Sequence, residues 1–485
     1  MKKTFSLFMI VGLAVVFLAS TSVNTFSTYT PVFKSVEMPS QLSNGDPFPT
    51  DSTVVDGWVA KSLAINGLET NRDIISHAWG LWAALMQVTR ETNDGRQMRR
   101  FETWPTPQDI MRAMKHDQSL ADVVGSSGKF QGRTKFNAFA DTGDDKVVDT
   151  PGDAVGRVKY SPAAAQYALD NMLFDASVMQ SKAIPNGIAK VTLPNNSVLL
   201  KPIYRVLSNY YKVYNGMYRF HVWGGKDDCC KGSDAAFSDY VYICTDPNDS
   251  RIDNVNVFSI STMIHHKMTA AEAEEYNNTP GHSREGAENP NNVAQAGDIV
   301  ILLGMHVSTR ESTRWTWQSF YWSPNPNNPL FPSSSTMAAG RGTASGLDNA
   351  AKHYAVSLGY SMLSPAAPLD LDLSKGASTD NRGSVYALNP YIEGTFSKKD
   401  VFPNQQTLYE QHGLGGLFKP SNVNGITSSC MGCHSQAAYY SSVGEAVGMF
   451  VADQWVPRNA PWFIGRVQTD FAWSLSGQFE PAPED

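Results

Sequence analysis

Apolar residues recur at helical spacing in the N-terminal part of the chain, where they predict several helices. The segment Asn71–Thr89 has a broad apolar face with two tryptophans, which is typical of a helix packed into a core. A helix over Pro107–Lys115 is predicted because a capping threonine precedes a proline at the first helical position. A Ser-Pro pair opens another helix over residues 162–177 in the same way. Residues 28–185 are therefore expected to form a mostly helical region.

The pattern changes after residue 189 to short runs of β-branched and aromatic residues separated by Asn, Gly and Pro turns. The strands that it predicts are Val191–Leu193, Ser197–Val206, Met217–Trp223, Tyr240–Cys244, Val255–Ile264 and Asp298–Thr309. Several strands at this spacing are typical of an antiparallel β-sandwich or barrel. We expect this β-rich domain to cover residues 186–324.

An aromatic run closes the β-rich part. Alternation places Trp315, Trp317 and Tyr321 on one face of a strand and Phe320 and Trp322 on the other. Large aromatic residues at a period of two are typical of a sheet core. The alternative, that they line a cleft for haem or substrate, stays open from the sequence.

Residues 325–345 are rich in Pro, Asn, Ser and Gly and are expected to form a linker or exposed loop. In the last region, residues 346–485, the patterns predict a helix over Leu347–Gly359, a strand over Ser384–Phe396 and a helix over His434–Met449. The fold class expected for the whole chain is α+β. It combines a helical N-terminal region, a sandwich-like or barrel-like middle and a mostly helical C-terminal region.

The N-terminus has the layout of a secretory signal peptide. Met1-Lys2-Lys3 is positively charged, the run Phe5–Ala19 is apolar, and small polar residues follow it. An uncleaved membrane anchor is the alternative, but the run is shorter than the ~20 residues that usually span a bilayer. We expect residues 1–27 to be removed and the mature protein to have no membrane span. The lysine pair and the short polar end look bacterial, which predicts the periplasm.

Composition and charge limit the classes of partner. The chain has 485 residues, of which 42% are hydrophobic, so it can bury large cores without disulfides. Its net charge of -7 argues against binding to nucleic acid or to an anionic membrane surface. A periplasmic redox partner protein or a small-molecule substrate remains the expected partner.

The strongest chemical signal is the pentapeptide Cys430-Met431-Gly432-Cys433-His434, which has the Cys-x-x-Cys-His spacing of covalent haem attachment. Two thiols about one helical turn apart can bond the two vinyl groups of one porphyrin, and the adjacent imidazole can bind the iron from below. A thiol redox pair does not need the histidine, and a zinc site would need two further ligands at matching spacing. The sequence therefore predicts one covalent haem c, with His434 as its proximal iron ligand.

The second axial ligand of the iron is not evident from the sequence. Met449 lies on the helix predicted to carry His434, so it cannot easily reach the opposite face of the ring. The upstream candidates are Met305, His306, His265, His266, His353 and His412. Of these we favour His306, which lies in an apolar strand near the aromatic run and points away from the face of Met305. An iron without a second protein ligand would be open to small molecules.

Three cysteines lie outside the pentapeptide. Cys244 could pair with either member of the doublet Cys229-Cys230 in an oxidising compartment, which would leave one thiol over. One disulfide that pins a local loop is the expected outcome.

A combination of short motifs resembles a group of large exported bacterial proteins with a cytochrome c domain and a single haem motif late in the chain. The motifs are Leu193-Pro194, Lys201-Pro202, Gly304-Met305-His306-Val307, Trp315-x-Trp317-x-x-Phe320, Cys430-x-x-Cys433-His434 and Asp470-Phe471. The resemblance spans residues 191–475 and implies haem binding and electron transfer, with no particular reaction.

Two functions follow from these patterns. The first is an electron-transfer cytochrome, which requires only what the haem motif provides. The second is a haem enzyme, a peroxidase or an oxidase of a small organic substrate, with an open or labile sixth iron position. The sequence shows neither a second haem motif nor an acid–base constellation around His434, which favours the carrier. A chain of 485 residues is much longer than a carrier needs, which favours the enzyme.

Overall fold

The computed structural model describes residues 33–64, 70–125, 155–207, 212–214, 216–225, 239–252, 254–278, 293–312, 314–360, 387–393, 430–439, 456 and 458–476. The expected signal peptide, the Cys229-Cys230 doublet, His412 and Met449 lie outside these residues. The described chain contains both helices and antiparallel sheets, in agreement with the α+β class. In these ranges no helix is long and apolar enough to cross a membrane.

The described helices have between four and fifteen residues, and the second is the longest. They are α1 (Ser52–Ala64), α2 (Arg72–Met86), α3 (Pro107–His116), α4 (Leu120–Val123), α5 (Pro162–Asp170), α6 (Ala176–Lys182), α7 (Ala270–Asn278), α8 (Ser335–Ala339), α9 (Asn349–Lys352), α10 (Pro390–Glu393) and α11 (Met431–His434). The predictions of α2 and α3 are confirmed, including the Thr106 side chain as the cap of α3. The helix predicted over 162–177 is divided into α5 and α6, because Met172 adopts a left-handed backbone angle.

Two larger sheets and two small ones hold the strands together. The strands are β1 (Val88–Asn93), β2 (Arg96–Arg99), β3 (Val155–Gly156), β4 (Lys159–Tyr160), β5 (Ile188–Lys190), β6 (Val198–Leu207), β7 (Lys212–Tyr214), β8 (Met217–Val222), β9 (Asp239–Cys244), β10 (Val257–Ser259), β11 (His265–Lys267), β12 (Ile299–Thr309), β13 (Thr316–Trp322), β14 (Tyr354–Leu358), β15 (Ala438–Tyr439) and β16 (Arg466–Gln468). The central sheet has the order β14-β13-β12-β6-β3, with β11 also paired to β12 and β4 to β6. The second sheet has the order β10-β9-β8-β7, and β16 lies between β15 and β5 in a third.

The central sheet packs against two hydrophobic cores. The α2 core contains Trp79 and Trp82 of α2 together with Met305 and Phe320 from the sheet, and the Trp82 and Phe320 rings stack at 4.3 Å. The motif core contains Leu193, Trp315, Trp317, Cys430 and Phe471 with their neighbours. Residues of β12 are buried along the whole strand, which explains its nearly continuous apolar sequence.

The C-terminal segment packs with chain that lies more than two hundred residues earlier. β16 runs parallel to β5, and the Val191 amide extends this pairing by donating to the Gln468 carbonyl at 2.8 Å. The Thr469 amide donates to the Ala437 carbonyl at 2.9 Å, next to β15. The motif core is therefore assembled from residues 110–193 and 430–475 around the central sheet.

Several short elements differ from the sequence prediction. The helix predicted over Leu347–Gly359 is only the four-residue α9, and the rest is β14, a strand of the central sheet with all its residues buried. The strand predicted over Ser384–Phe396 contains α10 instead, because the Asn389 side chain accepts from the Tyr391 amide at 3.1 Å and Pro390 suits a first helical position.

Two further elements are displaced from their predicted positions. The helix predicted to begin at His434 ends there, and Ala438 and Tyr439 form β15; the rest of that prediction, residues 440–449, lies outside the described residues. The strand predicted over Val191–Leu193 lies slightly earlier, as β5. Residues 325–345 include α8, whose Met337 is buried against α2 and is therefore not part of an exposed loop.

Candidate haem site

The Cys-x-x-Cys-His motif begins with a buried cysteine in a left-handed backbone conformation. Cys430 has a φ of 61° and is 7% exposed, and its thiol donates to the Ala387 carbonyl at 3.5 Å. The His434 amide donates to the Cys430 carbonyl at 3.0 Å, which closes the single turn of α11. The backbone of Cys433 lies in this turn, and its side chain lies outside the described part of the chain. One helical turn therefore spans the motif, as bonding of two thiols to one porphyrin requires.

The His434 imidazole is held by a backbone carbonyl. Its Nδ1 lies 2.9 Å from the Phe471 carbonyl oxygen, which can only accept a hydrogen bond, so Nδ1 carries the proton. Burial lowers the pKa of His434 to about 3; the Phe471 carbonyl opposes this shift, and nearby His306 and Lys201 add to it. The ring is therefore neutral at pH 7, with a lone pair on Nε2. A histidine that binds a metal through Nε2 has this arrangement.

The Phe471 carbonyl belongs to a turn with unusual backbone angles. Asp470 has a φ of 49° and Phe471 a φ of 71°, a region that bulky residues rarely adopt. The Asp470 carboxylate accepts from the Leu193 amide at 2.9 Å and from Arg310 Nε at 3.0 Å, both on Oδ2. Its Oδ1 accepts from Trp315 Nε1 at 3.1 Å. Three hydrogen bonds from other parts of the fold therefore hold the residue that precedes the carbonyl.

Trp317 lies against the His434 ring. The two ring centroids are 4.2 Å apart with planes tilted by 53°, and the Trp317 centroid is 5.1 Å from that of His306. The indole Nε1 lies 3.3 Å from Ser319 Oγ and 3.3 Å from His306 Nδ1. Trp317 therefore connects the motif histidine with the polar residues of the sheet.

The aromatic run around Trp317 is sheet core in the structure. Its large side chains are between 0% and 4% exposed, as for Trp315, Trp317, Phe320, Tyr321 and Trp322. Trp315 and Trp317 belong to the motif core, and Phe320, Tyr321 and Trp322 belong to the α2 core.

A row of polar side chains crosses the central sheet on the motif side. Lys201, His306, Ser319 and Ser357 are register partners on β6, β12, β13 and β14, so their side chains share one face. His306 Nδ1 lies 2.7 Å from Ser319 Oγ. The two serine hydroxyls donate to backbone carbonyls of segment 387–393, which carries α10. This segment therefore covers the row.

Glu393 of α10 completes the row. Its Oε1 lies 2.7 Å from His306 Nε2, and its Oε2 accepts from the Asn389 amide at 2.7 Å. His306 and Glu393 are 4% and 8% exposed. A proton must lie between Nε2 and Oε1, because neither a nitrogen lone pair nor a carboxylate oxygen can donate. Both nitrogens of His306 therefore have partners, and iron coordination by His306, which the sequence predicts, would require one of these bonds to break.

Lys201 adds an amine to the same row. Burial lowers its pKa, and the nearby Glu393 carboxylate and Cys430 sulfur oppose that shift. Sequence reasoning gives neither Lys201 nor Glu393 a role at the site, because their proximity to His434 depends on sheet register and on α10, which the pattern predicts as strand. The sequence shows no acid–base group beside His434, whereas β6, β12 and α10 bring Lys201, His306 and Glu393 together on the motif side of the sheet.

The other described candidates for the second iron ligand have contacts elsewhere. Met305 is buried in the α2 core, on the face opposite to His306, as alternation predicts. His266 Nε2 lies 3.3 Å from Glu272 Oε1, and His265 Nδ1 lies 2.8 Å from the Met263 carbonyl. His353 is partly buried at the end of α9, and burial lowers its pKa.

In the described ranges, no three His, Cys, Asp or Glu side chains converge as ligands of a metal ion. A haem needs fewer ligands from a protein, since the porphyrin supplies four and one histidine can supply a fifth. Cys244 is buried and unbonded to sulfur among the described residues, so its pairing with Cys229 or Cys230 stays a prediction.

Comparisons with protein-family models, with characterised proteins and with solved structures found no match to this chain. The residues and their geometry therefore carry the functional inference.

Proposed function

We propose that this protein is a periplasmic c-type cytochrome that binds one haem covalently through Cys430 and Cys433, with His434 as proximal ligand, and transfers electrons. The observation that carries the proposal is the state of the His434 ring: neutral, protonated on Nδ1 by its bond to the Phe471 carbonyl, and unprotonated on Nε2. Two thiols and one such imidazole are the donor set that haem c requires.

When bound, the haem supplies a one-electron iron couple. The chain contributes an oriented imidazole and buried surroundings that include Met431 and Trp317, which are 0% and 4% exposed. A surrounding of low polarity disfavours the additional positive charge of oxidised iron, so it raises the reduction potential. Donation from Nδ1 of His434 to a carbonyl makes Nε2 a stronger donor and acts in the opposite direction.

The proposal extends to the location and the organisation of the chain. It includes export by residues 1–27 and electron exchange with a periplasmic redox partner. The chain's net charge of -7 permits a partner whose docking surface is basic. It also assigns a helical region to the N-terminal part of the chain, a sandwich-like or barrel-like arrangement to the sheets and a largely helical haem c region to the C-terminal part.

The second candidate, a haem enzyme acting on peroxide or a small organic substrate, is favoured by the buried pair of His306 and Glu393. This pair holds a proton between Nε2 and Oε1 and lies one indole ring from His434. Lys201 adds an amine whose pKa is lowered by burial. Groups that hold a proton in a buried site are what general acid–base catalysis requires.

Optical spectra of the ferric and ferrous holoprotein, with and without carbon monoxide, distinguish the two candidates. If the protein is an electron carrier with two protein ligands on the iron, we expect a low-spin spectrum in both oxidation states and no binding of carbon monoxide. The enzyme predicts a high-spin spectrum, binding of carbon monoxide, and peroxide-dependent turnover that falls in E393Q. The absence of covalently bound haem would overturn both.

The variant H306Q tests the second axial ligand in the same spectra. If His306 binds the iron, H306Q converts a low-spin spectrum to high-spin; if it stays paired with Glu393, the spin state does not change. H266Q is the matched control, because His266 is also a buried histidine next to a carboxylate, that of Glu272.

A further inference from the structure

We propose that Asp470 is a positioning residue for the iron ligand: its carboxylate holds the turn whose Phe471 carbonyl fixes the proton of His434 on Nδ1. The inference rests on the proposed haem function for its consequences and on the apoprotein geometry for its evidence. The Asp470 carboxylate accepts hydrogen bonds from Leu193 and Arg310, whereas the His434 ring bonds to the carbonyl of Phe471. Asp470 therefore acts on His434 through the backbone of the next residue.

The turn that contains the carbonyl needs external support. Thr469 and Ala472 close it, with the Ala472 amide donating to the Thr469 carbonyl at 3.0 Å and Thr469 Oγ1 donating to the Ala472 carbonyl at 2.9 Å. Asp470 and Phe471 between them both have positive φ angles, which cost energy for residues with a side chain. A relaxed backbone would rotate the peptide that carries the Phe471 oxygen and move it away from Nδ1.

The Asp470 carboxylate supplies that support from three directions. Its donors are Leu193, which follows β5, Arg310, which follows β12, and Trp315, which precedes β13. Arg310 and Asp470 also form an ion pair whose side chains are 12% and 9% exposed, where charge-assisted hydrogen bonds are strong. These three bonds therefore fix the position of the turn relative to the strands that the donors flank.

The chemical consequence concerns the tautomer of His434. A neutral imidazole carries its proton on either nitrogen, and the bond to the Phe471 carbonyl selects Nδ1. Without that bond the proton can move to Nε2, which then has no lone pair for iron. The same bond would make Nε2 a stronger electron donor to a bound haem iron, which stabilises the ferric state. Loss of the bond would therefore shift the midpoint potential of the iron to a more positive value.

The direct test measures the His434 tautomer by ¹⁵N NMR on the full-length mature apoprotein with labelled histidine, assigned with H434Q. In the wild type, His434 is expected as the Nδ1–H tautomer. In D470N it is expected to shift towards a mixture with the Nε2–H tautomer. Asparagine tolerates left-handed angles as aspartate does, but its amide group turns an N–H towards donors that need an acceptor.

Controls separate positioning from general destabilisation. D348N removes another carboxylate that pairs with an arginine, Arg99, and should leave the His434 tautomer unchanged. W315F removes one donor to Asp470 and keeps an aromatic ring, so a smaller shift in the same direction is expected, and it serves as the test if D470N does not fold. Unchanged Nδ1–H resonances in folded D470N, or in folded W315F if D470N does not fold, would overturn the inference.

Holoprotein measurements keep this inference distinct from the proposed function. Covalent haem in the wild type decides the proposed function, whereas the tautomer in the apoprotein decides the role of Asp470, with or without haem. In the holoprotein, D470N should have a more positive midpoint potential than the wild type, and D348N the same potential. Equal potentials in all three proteins would contradict the role assigned to Asp470.

Discussion

At the scale of single residues, Glu102 shows how a buried charge is kept in this fold. Arg96 donates to both carboxylate oxygens, at 2.9 Å and 2.7 Å, and the Arg99 amide donates to one of them at 2.7 Å. Burial by itself would raise the pKa of Glu102, but the bonds and charge of Arg96, with contributions from His266 and the Arg99 amide, lower it to about 2. The carboxylate is therefore ionised at any physiological pH.

This pairing predicts a loss of stability in acid. A folded-state pKa below the unfolded-state value means that the Glu102 carboxylate stabilises the fold above about pH 4.5. That contribution is lost as the pH falls towards about 2. We expect E102Q to lower the free energy of unfolding by roughly 3 kcal/mol at pH 7. The difference from the wild type should narrow at pH 3, measured by urea denaturation at both pH values.

D348N provides the comparison for E102Q. Asp348 also pairs with an arginine, at 2.6 Å, but its side chain is 44% exposed. Its loss should cost at most about 1 kcal/mol, because exposed ion pairs contribute little. A difference between E102Q and the wild type that is the same at pH 7 and pH 3 would contradict the pairing described for Glu102.

The residues of the site divide by how their positions are specified. Spacing along the chain is enough to predict Cys430, Cys433 and His434 as one site, since a single turn of backbone joins them. Glu393 and Asp470 cannot be found in this way, because they act at His306 and at the Phe471 turn through contacts that only the folded sheet creates.

At the scale of elements, the packing of α2 depends on Gly340, which lies in the 3₁₀ turn that follows α8. A Cβ atom at Gly340 would lie 2.0 Å from Ile75 Cγ2 and 3.3 Å from Trp79 Cδ1, although its φ of -61° is suitable for alanine. We therefore expect G340A to lower the free energy of unfolding by about 1–3 kcal/mol through overpacking alone. Thermal or urea denaturation measures the effect.

Gly342 is the matched control in the same turn. A Cβ atom there would meet nothing within 4 Å, so G342A should change the free energy of unfolding by less than about 0.5 kcal/mol. Equal effects of G340A and G342A would show that the turn does not pack against α2 as described.

Elements with a clear apolar or β-branched pattern are predictable from the sequence, including the six-residue strands β8 and β9, whereas α10 and β14 are not. α2 and β12 have enough residues for their apolar pattern to exceed chance, and both are found where it predicts them. α10 and β14 have four and five residues, so a single capping asparagine or a place at the edge of a sheet decides their conformation.

At the scale of the whole molecule, the core around the Cys-x-x-Cys-His motif is not built from the C-terminal region alone. β16 pairs with β5, and the motif core includes Leu193 and Trp317 as well as Cys430 and Phe471. The order of strands in the central sheet could not be predicted, because β6 and β12 are neighbours although a second sheet lies between them in sequence.

A fragment of residues 346–485 is therefore expected not to fold. It lacks β5, β6, β12 and β13, which supply the strand partner of β16 and the sheet face of the motif core. Circular dichroism should show no cooperative thermal transition for the fragment, in contrast to the mature full-length protein. A cooperative transition with bound haem would contradict the dependence of the site on earlier chain.

The most direct measurement of the central claim is the intact mass and Soret absorption of the denatured, purified protein made in cells that mature c-type cytochromes. The wild type and C244S, which changes a cysteine outside the motif, should both retain one haem after denaturation. The double variant C430S/C433S should retain none. A wild-type protein without the covalent mass gain and Soret band, or a double variant that keeps them, would contradict attachment at Cys430 and Cys433.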